Sequence, residues 1–376
     1  MKLIQMVDLH SQYLKIKPEI DKGIFDVIES CSFVKGQKVK EFQQNLAKYL
    51  GVKHVIAVGN GTDALQIALM SLGLEAGDEV ITPTFTFIAT AEVVALLGLK
   101  PVLVDVDINT FCIDIQALEN AITPKTKAIV PVHLFGQNAN MEAILELAKK
   151  HNLFVIEDAC QSMGSQYIFA NGEKKHSGCM GTIGCTSFFP SKNLGCYGDG
   201  GAIFTDDDNL AEKMTMIANH GMKVRYYHDI VGVNSRLDTM QAAILNAKLK
   251  YLDDYISARQ KAADFYNNAF KDCEKVITPK TADFTTHAFH QYTLKLVDVD
   301  KEKLIEKLNE KGIPAMVYYP VPLHQQKAYR DERYKDGDFP IAEKLAKSVI
   351  SLPMHTELDG EQLNYIAENF LEIINS

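Results

Sequence analysis

Nowhere does the chain carry a Cys-x-x-Cys pair. Its seven cysteines, at positions 31, 112, 160, 179, 185, 196 and 273, are odd in number and fit neither a zinc site nor a disulfide framework. The eleven histidines are scattered without ligand spacing, so no metal is expected. Unpaired cysteines suit a reducing compartment, and a cytoplasmic protein is the expectation. Long apolar runs are missing as well. The longest, such as Val93–Leu99, fall far short of the ~20 residues that span a bilayer. The segment Met1–Asp8 lacks the apolar core and small-residue cleavage site of a secretory signal. Nor is there an excess of basic residues: the formal net charge is −9, which opposes nonspecific attraction to nucleic acid or an anionic membrane. Neither is expected as a partner. What is present is an ordinary globular composition, 47% hydrophobic and 23% charged. The 376 residues exceed the ~250–300 at which a single core stops growing, so more than one core is expected.

From about residue 50 short apolar runs alternate with amphipathic stretches. The pattern predicts strands at 54–58, 79–82, 101–105, 127–132 and 153–157, with helices at 62–72, 88–97, 113–121 and 141–150. Continuous apolar strands between amphipathic helices mean a mostly parallel sheet covered on both faces. Ligands gather at the carboxyl ends of such strands. A strand at 201–205 and a helix at 207–220 follow, then one long helical stretch with a bend from Leu237 to Phe270. The character then changes. Gln291–Val297 alternates like a strand exposed on one side, and helices are predicted at 301–311, 338–349 and 360–374. The fold class is α/β, with a large domain over 1–250 and a smaller α+β domain over 251–376; the N-terminal segment is a candidate to pack on the small one. The polar run 170–178 reads as a hairpin or surface excursion.

Three segments carry chemistry. In Ser187-Phe-Phe-Pro-Ser-Lys192-Asn-Leu-Gly195 a lysine sits between aromatic residues and glycines. A lysine that forms a Schiff base must lose its proton, which needs a partly desolvated site; a surface lysine in a glycine-rich turn is the competing reading. Asp158 ends the apolar strand Val155-Ile-Glu-Asp158. It either faces a protonated pyridine nitrogen or caps the next helix. Gln161, one turn on, is within reach of a phenolic oxygen on such a ring, or is simply solvated. Gly59-Asn-Gly61-Thr62-Asp63 opens a helix whose free N–H groups and dipole bind phosphate, unless it is a plain cap. Ser187 adds a hydroxyl to that phosphate or is an ordinary strand serine. Phe85 and Phe87 follow a strand end, where one stacks on a ring and at least one packs the core. In this order and context the three segments are the parts that hold pyridoxal 5'-phosphate.

The set resembles the DegT-type nucleotide-sugar aminotransferases, which are fold type I (aspartate aminotransferase-like) pyridoxal-phosphate enzymes. The match runs from Phe33-Val-Lys-Gly36 through the three segments above and Gly232-Val-Asn-Ser-Arg-Leu-Asp-Thr-Met-Gln-Ala-Ala-Ile-Leu245 to Gly312-Ile-Pro-Ala-Met-Val-Tyr-Tyr-Pro-Val-Pro-Leu-His324. The resemblance implies that Lys192 carries the cofactor and then shuttles a proton. It implies that Asp158 pairs with the pyridinium, Gln161 bonds the phenolic oxygen and Phe87 stacks on the ring. Gly61, Thr62 and Ser187 would bind the phosphate, with Asn234 reaching it from the partner subunit of a homodimer. Arg236, Tyr318, Tyr319 and His324 are the positions implied to face the sugar nucleotide; packing and loop contacts compete for Tyr319 and His324. Family members that act as dehydratases carry histidine at the position of Lys192, so transamination is implied here. Arg225-Tyr-Tyr-His228 and Val231–Arg236 are similar to the enzymes that aminate C3 of UDP-2-acetamido-3-keto-glucuronate with L-glutamate, for bacterial surface polysaccharide such as the O-antigen of lipopolysaccharide. Those enzymes have His-Tyr-Pro where this chain has Tyr318-Tyr319-Pro320, and lack Leu323-His324. C3 or C4 amination of a dTDP- or UDP-linked keto-deoxyhexose therefore stays open, as does a regulatory protein with a vestigial site.

Overall fold

Two helices absent from the reading above open the chain in the computed structural model, which describes residues 3–376. These are α1 (Leu9–Ser30) and α2 (Gln37–Leu50). Helix α1 carries Pro18 in its interior: proline removes a helical N–H and clashes with the preceding turn, and the backbone leaves helical geometry at Ile16 (φ −120°).

The alternating region then forms as expected, with edges shifted by a few residues. It comprises β1 (His54–Val58), α3 (Gly61–Ser71), β2 (Glu79–Pro83), α4 (Ala89–Leu96), β3 (Lys100–Val104), α5 (Ile115–Ala121), β4 (Thr126–Ile129), α6 (Met141–His151) and β5 (Phe154–Asp158). A hairpin of β6 (Gln166–Ile168) and β7 (Lys174–His176) spans the polar run, followed by β8 (Ile183–Ser187), β9 (Gly201–Thr205) and α7 (Asp208–Ile217). The large sheet has the order β1-β9-β8-β5-β4-β2-β3. Only β9 runs antiparallel to its neighbours. Asp158 and Ser187 both end strands, side by side, at the carboxyl edge of the sheet. The helix start at Gly61 lies at the same edge, against Ser187.

The stretch expected as one bent helix is two, α8 (Thr239–Leu249) and α9 (Leu252–Phe270), parted at Lys250–Tyr251. The chain continues through β10 (Val276–Ile277), β11 (Tyr292–Leu296), α10 (Lys301–Glu310), α11 (Pro340–Ser348), β12 (Val349–Leu352) and α12 (Gly360–Asn375). Strands β10, β11 and β12 form a small antiparallel sheet. Strand β11 corrects the expectation of one exposed face, since every residue in it is buried. Tyr292, Leu294 and Leu296 pack with Tyr266 and Phe270 of α9 and Phe370 of α12. On the other face Thr293 bonds the Ser351 hydroxyl (2.8 Å), and Lys295 Nζ donates to the Ile108 carbonyl (2.7 Å) in the large-sheet region. Ile4 packs into this second core. Among the described residues no helix is long and apolar enough to cross a membrane.

Candidate active site

A cavity of ≈ 660 Å³ opens at the carboxyl edge of the large sheet. Gly61, Thr62, Phe87, Asp158, Gln161, Ser187 and Lys192 all line it, joined from the far side by Tyr318 and Tyr319.

Each chemical group is held by its local fold. At the start of α3 the Asn60 side chain accepts the Asp63 N–H (2.8 Å) and the Asn60 carbonyl accepts the Ala64 N–H (3.1 Å). The N–H groups of Gly61 and Thr62 remain as free donors at the cavity wall. A Cβ at Gly61 would lie 2.8 Å from Ser187 Cβ and 2.9 Å from Cys160 Sγ, so only glycine lets this helix start approach the end of β8. The loop is further pinned by Ser235, whose hydroxyl accepts the Gly59 N–H (2.9 Å) and donates to the Asp63 carboxylate.

Asp158 is buried. One carboxylate oxygen accepts the Thr90 hydroxyl (2.8 Å) and the other the Cys160 N–H (3.2 Å). Its neighbour Glu157 points the opposite way. It accepts N–H groups from Gly178, Met180 and Gly181 and the Nε2–H of His133, whose Nδ1 accepts from Ala139. That network anchors the end of β5. The Gln161 carbonyl oxygen accepts the Phe135 N–H (2.9 Å), and its amide donates to the Tyr319 hydroxyl (2.9 Å). Phe87 is 54% exposed and its ring lies 6.3 Å from that of Tyr319, whereas Phe85 is fully buried in the core.

Lys192 lies between these groups. Burial pulls its pKa down, and the neighbouring Cys160 and Asp158 only partly oppose this. The amine therefore loses its proton more readily than a surface lysine. Burial, helped by Asp158, pushes the Cys160 thiol well up, so it stays protonated. Burial likewise raises Tyr319, against the opposing effect of its bond to Gln161, and its hydroxyl keeps its proton.

Three expected residues are not brought to this cavity. His324 is buried elsewhere, its Nδ1 paired with the Thr84 hydroxyl (2.9 Å) and its Nε2 3.3 Å from Glu343, so here it packs a loop. Asn234 is exposed and pairs through its backbone with Asn219. Arg236 is half-buried and near Lys35: burial lowers the Lys35 ammonium, and the Arg236 charge adds to that shift. Sequence reasoning missed Thr90, Glu157 and Asn193, the last of which ties the lysine loop to the Met163 and Ala288 carbonyls. Only the order of strands shows that Thr90 meets Asp158.

The donor set suits a phosphorylated pyridine aldehyde: helix-start N–H groups for an anion, a buried carboxylate for a ring nitrogen, and a deprotonatable amine between them. Comparison with known proteins agrees. The model of the DegT/DnrJ/EryC1/StrS aminotransferase family matches residues 14–371. The chain is 49% identical to a pleiotropic regulatory protein of Geobacillus stearothermophilus, covering 98% of each chain. It is 48% identical to a UDP-2-acetamido-2-deoxy-3-oxo-D-glucuronate aminotransferase of Pseudomonas aeruginosa, covering 97% of this chain and 98% of that one. The crystal structure of S. venezuelae DesV in complex with a ketimine intermediate superposes with a TM-score of 0.95 at 36% identity, covering all of both chains.

Proposed function

The chain belongs to the DegT/DnrJ/EryC1/StrS aminotransferase family, and from that premise we propose that it moves an amino group from L-glutamate to C3 of UDP-2-acetamido-3-keto-glucuronate. It is a pyridoxal-phosphate-dependent aminotransferase of nucleotide-linked keto sugars. The observation that carries the reading is the convergence of Lys192, Asp158 and the Gly61–Thr62 helix start on one cavity. That intact set also separates the chain from a regulator with a vestigial site. The choice of C3 is supported by relatives named for chemistry at that carbon. These include a UDP-N-acetyl-3-dehydro-alpha-D-glucosamine 3-aminotransferase at 44% identity and a dTDP-3-amino-3,6-dideoxy-alpha-D-galactopyranose transaminase at 39%.

When bound, pyridoxal phosphate supplies an electron sink for the carbanion formed at the amino-bearing carbon. The chain does the rest. The Gly61 and Thr62 N–H groups and the Ser187 hydroxyl hold the phosphate. Asp158, oriented by the Thr90 hydroxyl and the Cys160 N–H, would face the ring nitrogen and hold a proton on it. Phe87 and Tyr319 cover the ring and exclude water. Lys192 Nζ takes the proton from the amino-bearing carbon and returns it one position along, first for glutamate and then in reverse for the sugar, so kinetics are ping-pong.

The reading includes a homodimer. Asn234 and Arg236 lie outside their own cavity, on a face where Phe33, Val34, Tyr226, Tyr227 and Val231 are exposed. A second copy of the chain covering that face would receive Asn234 at its phosphate and Arg236 at its sugar. The test runs the sugar half-reaction backward: cofactor-loaded enzyme is mixed with a 3-amino UDP-uronate or a 4-amino UDP sugar, and the visible band is followed. Bleaching by the 3-amino uronate alone is expected. Bleaching by the 4-amino sugar alone moves the reaction to C4, and bleaching by glutamate but neither sugar changes the nucleotide or hexose.

A further inference from the structure

The amide of Gln161 is held at both ends, and the two bonds fix which way it faces. The Phe135 N–H reaches one end (2.9 Å); an N–H can only donate, so that end is the carbonyl oxygen. The NH2 end therefore faces the Tyr319 hydroxyl (2.9 Å) and donates one of its two hydrogens to it. The two hydrogens of an amide diverge, so Tyr319 cannot take both. Among the described residues nothing accepts the second. Gln161 is 7% exposed and lines the cavity with Asp158 and Lys192, so that hydrogen is left for what the cavity holds.

Both clamps are themselves held. Phe135 is buried, its ring 5.2 Å from that of Phe111, and its carbonyl accepts the Gln291 N–H (3.3 Å). The next residue, Gly136, has φ +115°, and a Cβ there would lie 2.8 Å from the Phe289 nitrogen, so this turn requires glycine. Tyr319 reaches Gln161 from the opposite wall. Its ring lies 6.2 Å from that of Phe85 and 6.3 Å from that of Phe87. Four residues on, the Leu323 N–H bonds the Thr84 carbonyl (2.8 Å), which ties the segment to the strand end that carries those two rings. Burial raises the Tyr319 hydroxyl, the bond from Gln161 opposes this, and Asp158, Tyr318 and Cys160 add to the rise, so it stays protonated.

We propose that Tyr319 is a positioning residue for Gln161: by taking one amide hydrogen, its hydroxyl aims the other at the phenolic oxygen of pyridoxal phosphate. The last torsion of a glutamine side chain is broad. An amide tied at both ends presents one donor in one direction, as a group that must meet a fixed ring requires. The Tyr319 ring covers the cofactor, and its hydroxyl orients the neighbour. No covalent bond changes at either residue. The inference rests on the pyridoxal-phosphate reading of this cavity, in which Gln161 serves that oxygen.

Tyr319→Phe keeps the ring with its neighbours Phe85 and Phe87 and removes only the hydroxyl. The readout is the pH midpoint of the visible band of the bound cofactor in the full-length protein, which reports the proton on the link between cofactor and Lys192. A donor at the phenolic oxygen favours loss of that proton, because it stabilises the negative oxygen left beside it. In Y319F the midpoint should rise by about half a unit or more. Gln161→Ala should raise it at least as far, and Y319F should add nothing in the Q161A background. A hydroxyl that only packs the wall would leave the midpoint in place. A wild-type midpoint in Y319F would overturn the proposal. So would an equal shift by Y319F with and without Gln161, since the hydroxyl would then act on the cofactor directly, or loss of the fold in Y319F, since it would then be a structural member. The two readings separate in wild type: no visible band that glutamate bleaches overturns the proposed function and this inference together, whereas normal bleaching with an unshifted Y319F overturns this inference alone.

Discussion

The floor of the cavity and the segment 222–236 are built in opposite ways. On the floor each reacting group is held from several sides: Asp158 by Thr90 and Cys160, the helix start by Asn60 and Ser235, and the lysine loop by Asn193 and by Lys248, whose buried Nζ donates to the Gly195 carbonyl (2.8 Å). The segment is the reverse. Tyr226, Tyr227 and Val231 are 75%, 69% and 85% exposed, and Tyr226 has φ +72°. A floor with many bonds per group keeps one geometry, as transfer of a proton between fixed carbons requires. A surface with exposed aromatics takes its final shape from what covers it. The difference teaches that the groups on the cavity floor are fixed within one chain, while the segment carrying Asn234 and Arg236 is left open for the second copy proposed above.

The largest break in that contrast is Lys192→Ala, expected to abolish the visible absorbance of the bound cofactor and cut turnover by about 10³-fold or more; a retained band would remove Lys192 from its role. Next is Asp158→Ala, expected to cost about 10²-fold in the glutamate half-reaction without loss of the fold. The exposed side is tested by mixing inactive Asn234→Ala with inactive Lys192→Ala. If Asn234 acts across the interface, subunit exchange yields hybrids with one intact site and restores activity, and a mixture that stays dead places Asn234 outside the partner's site. Thr90→Val removes one hydrogen bond to a buried carboxylate and should slow both half-reactions about tenfold.

The smallest effect is a pH dependence of stability. Burial lowers Lys248 from 10.5 to about 8. Between those values the unfolded chain binds more protons than the folded one, so this group makes stability rise with pH across that window. Lys248→Met should lose that rise, so the wild-type urea midpoint should climb relative to the variant's from pH 8 to 10. A constant gap would mean that Lys248 does not titrate there.

Much of this was readable in the amino-acid order because it is local. The alternating strands and helices, the glycine helix start, and Asp158 at a strand end depend on periodicity and on neighbours within a few residues. Phe85 and Phe87 also divided as their positions allowed, one into the core and one over the cavity. The misreadings share a cause. Helix α1, which packs on α8, lies before the stretch where the alternating pattern begins, and alternation in β11 pointed to solvent where the large-sheet region lies. His324 sits in a motif next to Tyr319, yet Thr84 and Glu343 claim its ring.

By itself the sequence determined the class of fold and the cofactor chemistry, and it marked Lys192 as the candidate amine, because these need particular residue types at short spacing. Tertiary structure alone decided that Thr90 orients Asp158, that Gln161 is shared between Phe135 and Tyr319, that His290 Nδ1 is buried without a partner, and that Asn234 lies outside its own cavity. Each of these joins residues tens to hundreds of positions apart. No periodicity encodes such a meeting; the order of strands in the sheet and the packing of the second core bring it about.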